Sequence, residues 1–273
     1  MIYEITKPAS VAPLFSGWQE TIVRSCLDGV MGHLYSTSAE SPKSAAAALG
    51  DFCFLAGTPD RELLSDQPDR CAKDTIILVP QTPEWGCLIE EHYQEKALKI
   101  QRYATKKEPR IFDPAALRRL ATSLPPEYSL RRIDEPLFHY CQENDWCADF
   151  VFNYKNYAQY RKLGLGVMAF YKGEAVAGVS SYSSYHGGIE IQIDTRETYR
   201  RRGLAAACGA KLILACTERG LYPSWDAANP ASVALAEKLG YHFDRAYTAY
   251  EVSRSSISFA KEQTAHHVHQ SRT

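Results

Sequence analysis

The chain has 273 residues, 45% of them hydrophobic, and 31 lysines and arginines stand against 32 aspartates and glutamates, a formal net charge of −1. That apolar share is enough to bury the core of one large or two small domains, while near-neutral charge supplies no global field for nucleic acid or an anionic membrane, so neither is expected as a partner. MIYEITKPASVAPLF has an acidic residue and prolines where a signal peptide needs a basic start and an unbroken apolar run, and no stretch of about 18 apolar residues follows, so the expected location is cytoplasmic.

Leu14, Trp18, Ile22 and Cys26 recur every fourth residue ahead of Gly29. This predicts an amphipathic helix with a glycine stop, packed on a sheet. DFCFLAG (51–57), TIILVP (75–80) and KALKIQRYAT (96–105) read as the strands of that sheet, with a helix over PEWGCLIEEHY between the last two. In FDPAALRRLATSLPP, Asp113 is placed as a helix cap and Pro114 at the first helical position, and the Pro-Pro pair ends the run. A boundary is therefore expected near residues 124–126. It separates an additional amino-terminal α/β domain (1–123) from a second domain (124–253) and a polar tail (254–273) whose His266, His267 and His269 are assigned no function.

Past the boundary the order reads strand 129–134, an aromatic-rich helical region 136–161, strands GVMAFYKG, EAVAGVSSYSSY and GIEIQID, helix 203–219, strand YPSWDAA, helix 230–239 and strand YHFDRAYTAYEV. The turn Lys172–Glu174 predicts a hairpin. The fold class is mixed α/β (α+β) with one central sheet. Eight cysteines are scattered with no C-x-x-C pair and no ligand-like grouping with histidine; they read as reduced core thiols, and no metal is expected.

In GIEIQID, alternation puts Ile189, Ile191 and Ile193 on a core face and Glu190, Gln192 and Asp194 on a face that meets water or a ligand. Arg196, Arg200, Arg201 and Arg202 then precede Gly203 and a helix that is apolar nearly all round. An arginine-rich turn cannot be buried unpaired, so the helix start has to open outward. It presents unpaired N–H groups and the positive end of the helix dipole, a seat for pyrophosphate oxygens. Gly203 lets a bulky anion approach, and the arginines add charge-assisted hydrogen bonds. A solvated basic turn shaped by its glycine is the alternative on these residues alone.

YRRRGLA sets Arg200, Gly203 and Ala205 in an R-x-x-G-x-A frame after a strand and resembles the acyl-CoA pyrophosphate loop of the GNAT superfamily of N-acetyltransferases. About 25 residues on, WDAANPASVALAEKLGYHF is similar to that superfamily's second signature, a strand ending in asparagine, then a helix and a Leu-Gly-aromatic step. Residues 127–253 fit the superfamily's order, and the second motif further resembles the branch typified by the zwittermicin A resistance protein, whose members carry an extra amino-terminal region. The resemblance implies a mixed, mostly antiparallel central sheet flanked by helices. It implies acetyl-CoA as acyl donor and a primary amine as acceptor, in a small molecule such as an antibiotic or polyamine. It assigns the backbone of Gln192, Ile193 and Asp194 to the pantetheine arm, and Arg200, Arg201, Arg202, Gly203, Leu204 and Ala205 to the pyrophosphate. Asn229 and Ser232 follow from the second signature, although Asn229 also reads as a helix cap ahead of Pro230.

An alkylamine of pKa near 10.4 is neutral in about one molecule in a few thousand at pH 7, so transfer to it needs a base. Glu190 is the candidate, by position and by likeness to a glutamate that some superfamily members use there; Asp194 and Asp226 are rivals. A backbone N–H of the same strand is the expected oxyanion donor. The tyrosine that often protonates the leaving thiolate, seven residues after the asparagine, is Ala236 here. Tyr241, Tyr222 or water would substitute, and an alkyl thiolate of pKa about 8.5 is a tolerable leaving group. That departure keeps open a catalytically silent acyl-CoA-binding sensor or scaffold. Transfer to a protein or an aminoacyl-tRNA is a further alternative, the latter opposed by the neutral charge.

The amino-terminal domain reads as a wall that selects the amine or as a degenerate second copy of the fold, without a second R-x-x-G-x-A loop in residues 1–123. The aromatics from Tyr140 to Tyr160, with Glu143, Asp145 and Asp149, read either as packing or as acceptor lining. Edge strands of such a sheet can pair between chains, which allows a homodimer.

Overall fold

The structure is a computed structural model that describes residues 1–70 and 73–253; the polar tail and Cys71 lie outside the described residues. The first elements are β1 (Tyr3–Glu4), α1 (Thr21–Leu27), β2 (His33–Ser36), β3 (Ser44–Leu49), β4 (Phe52–Gly57), α2 (Arg61–Arg70), β5 (Thr75–Pro80), α3 (Pro83–Tyr93), β6 (Ala97–Thr105) and α4 (Pro114–Ala121). Then come β7 (Tyr128–Arg132), α5 (Glu135–Glu143), α6 (Tyr157–Leu163), β8 (Gly166–Tyr171), β9 (Glu174–Tyr185), β10 (Gly188–Thr195), α7 (Leu204–Glu218), β11 (Tyr222–Ser224), β12 (Asp226–Ala227), α8 (Pro230–Lys238) and β13 (Phe243–Ser253). Among the described residues, 1–16, 34–100 and 248–253 form one compact unit, and 17–33 with 101–247 form another. The expected boundary near 124 falls between α4 and β7, both in the second unit.

In the first unit the strands follow the order β1-β2-β3-β4-β5-β13. β3 and β4 are antiparallel, β4 and β5 parallel, and Tyr250–Ser253 of β13 pair antiparallel with β5. The core gathers Cys53 and Leu55 of β4, Leu63 and Leu64 of α2, Ile76 and Leu78 of β5, and Trp85 and Ile89 of α3. β4, β5, β6 and α3 lie where their apolar patterns predict. β3 is unexpected because SAAAAL carries the residue of highest helix propensity; Ala45, Ala46 and Ala47 are nevertheless fully buried in a strand.

The second unit holds the sheet β11-β10-β9-β8-β7, antiparallel from β7 to β10 and parallel between β10 and β11. The β8–β9 hairpin turns through Lys172 and Gly173, both at positive φ, as the sequence predicts. α7 packs across β8, β9 and β10, where Ile189 and Ile191 join Leu204, Cys208 and Leu212 in one core. The mixed α/β architecture, with antiparallel-dominated sheets flanked by helices, is the expected class, but the strands expected in one central sheet are divided between two, because β13 and β12 pair with β5 and β6 instead of joining β7–β11.

Two expectations need correction. The helix predicted over Leu14–Cys26 begins only at Thr21, because the chain turns at Gly17 (φ 87°) after a separate 3₁₀ turn at Ala12–Phe15. This helix packs on β9 and β10 rather than on the strands of residues 51–105. Its polar positions explain the choice: Ser25 Oγ donates to Ser184 O at 2.6 Å, an anchor that only β9 supplies. YPSWDAA, read as one strand, breaks at Trp225. β11 stays with β10, while β12 pairs with β6 through Asp226 opposite Ala104 and Ala227 opposite Tyr103.

Cys26, Cys53, Cys141, Cys147, Cys208 and Cys216 are buried, and Cys87 is exposed. Among the described residues no helix is long and apolar enough to cross a membrane.

Candidate active site

β10 carries the chain from a paired end to an open one. It faces β11 only at Gly188, Ile189 and Glu190, whose partners are Tyr222, Pro223 and Ser224. From Ile191 to Thr195 it is paired with β9 alone. The backbone of Gln192, Ile193 and Asp194 therefore has an open edge on the side away from β9. Gln192 Nε2 reaches Asp149 Oδ2 at 3.5 Å, Ile193 packs on the core, and Asp194 accepts from its neighbour's Thr195 N–H at 2.6 Å.

At the open end the chain turns into α7. Gly203 takes φ 81° as the residue before the helix, no side chain caps it, and a Cβ at this position would meet open space. At this turn Ala207 N–H donates to Gly203 O at 3.0 Å, and the N–H groups of Leu204, Ala205 and Ala206 precede any i−4 partner within the helix. Arg200 Nε donates to Thr195 O at 3.2 Å. Arg202 donates to Thr198 O at 3.0 Å and stacks on Tyr199 with 5.0 Å to the ring centroid. Arg201 is exposed at φ 65°. Arg196 instead pairs with Glu174. A helix start with an uncapped first turn, an unobstructed glycine and exposed Arg200, Arg201 and Arg202 fits a pyrophosphate.

Where β10 and β11 part, Glu190 is 6% exposed. The Thr21 hydroxyl donates to its Oε2, and Oε1 has no partner. Ser183 on β9 and Ser224 on β11 are its register neighbours. Among the described residues, the buried side-chain polar atoms without a partner are Glu190 Oε1, Ser183 Oγ, Ser224 Oγ, Asp226 Oδ1 and Trp146 Nε1. Glu190, Ser183 and Ser224 form this row of adjoining strands, and Asp226 follows Ser224 by two residues. A buried unpaired polar atom costs about 1–3 kcal/mol, and such atoms gathered beside one carboxylate mark a place built for hydrogen bonding. Burial holds the Glu190 carboxyl above the ordinary carboxylate range; Lys107, the Thr21 hydroxyl and the nearby Ser224 hydroxyl pull it back, and Asp226 adds to the rise.

The rival carboxylates are placed differently. Asp226 is held by Arg102, with Nε 2.6 Å from Oδ2, and a carboxylate clamped by a guanidinium is a poor proton acceptor. Asp194 is exposed, beyond the fork. Asn229 caps α8, its Oδ1 accepting from Ser232 N–H at 2.9 Å, and lies exposed. Ala236 is in the core. Tyr241 is buried, packs against Phe112 and Trp225, and donates its hydroxyl to Pro223 O at 2.6 Å. Burial pushes its phenol well above the usual tyrosine range and that of Tyr222 up to about 12; Tyr222 donates to Lys106 O at 3.0 Å. Tyr154 and Tyr160 of the aromatic-rich region are core residues bonded to Ser181 and Ser180 of β9. Among the described residues no group of histidine, cysteine, aspartate and glutamate is arranged to hold a metal ion.

Sequence reasoning missed Thr21, Ser183, Ser224 and Arg102. A signal existed for Ser183, since VSSYSSY places four serines in a strand otherwise rich in apolar residues. None existed for Ser224, whose place opposite Glu190 depends on strand pairing, or for Thr21 and Arg102, whose partners lie 169 and 124 residues away.

The family described as GNAT acetyltransferase matches residues 12–250. The uncharacterised N-acetyltransferase YdfB of Bacillus subtilis (strain 168) is 26% identical over 263 residues, covering 92% of this chain and 98% of that protein. A crystal structure of a GCN5-related N-acetyltransferase-like protein from Streptococcus suis 89/1591 superimposes with a TM-score of 0.86 at 48% identity, over 90% of this chain and 98% of that one. A GCN5-related N-acetyltransferase from Kribbella flavida shares the fold, with a TM-score of 0.53 at 15% identity over 92% and 96% of the two chains.

Proposed function

We propose a reaction for this chain, which belongs to the GNAT acetyltransferase family: transfer of an acetyl group from acetyl-CoA to a primary amine, with Glu190 as the base. The observation that carries the reading is the place of Glu190, a buried carboxylate with one unpartnered oxygen at the last register pair before β10 and β11 separate.

Acetyl-CoA supplies the activated acyl group as a thioester. The start of α7 at Leu204 and Ala205, with Gly203, Arg200, Arg201 and Arg202, would hold its pyrophosphate, and Asn229 stands at the neighbouring helix start. The open edge of β10 at Gln192–Asp194 would pair with the pantetheine amides as an added strand does. Glu190 takes the proton of the attacking amine at Oε1, which its raised pKa suits because a base works best near the operating pH. Ser183 and Ser224 orient the amine from either side.

The acceptor is a cationic amine of a small molecule, an antibiotic or polyamine among the first to screen. The buried carboxylate of Glu190, with its unpartnered Oε1, favours a cation over a neutral or acidic acceptor. The acceptor wall includes α1, so the amino-terminal contribution to selectivity comes from residues 17–33.

The test is a calorimetric titration with acetyl-CoA and with free CoA, on the wild type and on Gly203→Glu and Gly203→Ala. Both variants share the backbone strain of a non-glycine residue at φ 81°, but only glutamate adds a charge at the anion seat. The expected result is binding in the wild type and the alanine variant, lost in the glutamate variant, followed by thiol release on at least one amine of a polyamine and aminoglycoside panel. A folded wild type that binds neither acetyl-CoA nor CoA would sink the reading.

A further inference from the structure

We infer that Thr21, in the first turn of α1, positions Glu190 for proton abstraction, so that a segment distant in sequence forms part of the base. The inference rests on the assignment of Glu190 as base and adds a residue to it.

A carboxylate can present either oxygen, and a base that samples both wastes part of its encounters. The Thr21 hydroxyl donates its single proton to Oε2, which fixes the carboxylate plane and leaves Oε1 as the oxygen without a partner. The same bond favours the ionised form, the form that accepts a proton.

Thr21 does not depend on Glu190 for its own place. One turn on, Ser25 Oγ donates to Ser184 O at 2.6 Å and reaches Met31 O at 3.1 Å. Ile22, Val23 and Cys26 are buried, Glu20 pairs with Arg245, and Asp28 accepts from the His186 N–H at 3.2 Å. Arg24 lies 5.0 Å from the centroid of the Tyr185 ring. α1 is therefore anchored along its length, and Thr21 is presented to Glu190 by a helix that other contacts hold.

The other charged and titratable groups near the carboxylate come from several elements. Lys107 follows β6 and Asp226 lies on β12; Tyr185, Tyr222 and Tyr241 are close enough for Glu190 to raise their own pKa values. Asp149 of the 3₁₀ turn beside β10 is engaged by Gln192. None of these donates a hydrogen bond to Oε2; the nearby Ser224 hydroxyl also favours the ionised form, and Thr21 supplies the hydrogen bond that Oε2 accepts.

The experiment is a pH titration of the Glu190 side-chain carboxyl by carbon-13 NMR of glutamate-labelled full-length protein, its signal identified by loss in Glu190→Gln. Thr21→Val keeps the shape and removes the hydroxyl, and Thr21→Ser restores a donor. The expected midpoint of Glu190 rises by about one pH unit in Thr21→Val and returns towards the wild-type value in Thr21→Ser. A midpoint unmoved in a Thr21→Val protein with the wild-type circular dichroism spectrum overturns the inference. If Thr21→Val does not fold, Thr21→Ala with an unmoved midpoint overturns it equally. Full turnover by Glu190→Gln on the amine panel would instead overturn the base assignment, a failure that the titration separates from the first.

Discussion

Glu190 and Ser224 are the last residues to face each other across the parallel strands β10 and β11. The carboxylate thus stands at the point of a fork, with a paired sheet behind it and an open strand edge ahead. Its position follows from strand pairing and its raised pKa from burial, since the same closing of the sheet that fixes Glu190 also removes its solvent.

That arrangement makes a kinetic prediction. Glu190→Gln should lower turnover by about 10²–10⁴-fold and leave the acetyl-CoA dissociation constant unchanged, because the anion seat lies at the other end of β10. The base works ionised, so wild-type turnover should fall as pH drops through a midpoint above the ordinary carboxylate range. The variant should lack this limb. Thiol-release profiles between about pH 5 and 9 check it, and rates that match in the two proteins would remove Glu190 from the mechanism.

Stability should move the opposite way. With the folded pKa of Glu190 raised, the native state binds more protons than the unfolded chain between the ordinary carboxylate value and the raised one. Stability is therefore fullest below that window and falls as pH rises through it. Glu190→Gln abolishes the buried charge, keeps the shape and leaves a carbonyl for the Thr21 hydroxyl. At pH 8 it should gain about 1 kcal/mol, or about 2–4 °C in Tm, and the gain should vanish near pH 4. Thermal melts at the two pH values decide it.

The parts legible in the sequence were those governed by short-range pattern. Alternation in GIEIQID placed Glu190 opposite the Ile189 and Ile191 face, and the arginine-glycine turn announced an uncapped helix start flanked by exposed arginines. Asp113 caps α4, bonding Ala115 N–H at 2.8 Å, as its place before Pro114 implied. Pattern failed where partners decide the outcome. The period of α1 showed that it has an apolar face but not which sheet receives it. Ser25 and Thr21 find their acceptors on β9 and β10, far along the chain. The split of YPSWDAA at Trp225 has the same origin: β12 leaves β11 because its partner is β6, where Thr105 Oγ1 donates to Trp225 O at 2.7 Å.

Asn229 allows two roles to be separated. As the cap of α8 it accepts from Ser232 N–H, and Asn229→Ala should cost about 1 kcal/mol while Asn229→Ser restores the cap. If Asn229 also reaches the cofactor as proposed, the serine variant should melt like the wild type yet bind acetyl-CoA about tenfold more weakly, a difference of about 1.4 kcal/mol. Unchanged affinity in the serine variant would reduce Asn229 to a cap.

Tyr241 is one of the candidates for proton delivery to the leaving thiolate, and its surroundings make the prediction. Its hydroxyl proton is committed to Pro223 O at 2.6 Å, inside the core. Burial holds that proton more tightly than an ordinary phenol does, so giving it to a thiolate whose conjugate thiol has a pKa of about 8.5 would run uphill. The thiolate should therefore leave without it. Tyr241→Phe is expected to lower stability by about 1–2 kcal/mol, the cost of leaving a buried carbonyl unpaired, while turnover at pH 7 changes less than about threefold, well short of the 10²–10⁴ that general acid catalysis supplies. A loss of that larger size in a folded Tyr241→Phe protein, with the alkaline side of the rate profile altered, would restore Tyr241 as the acid and require its bond to Pro223 to open during the reaction.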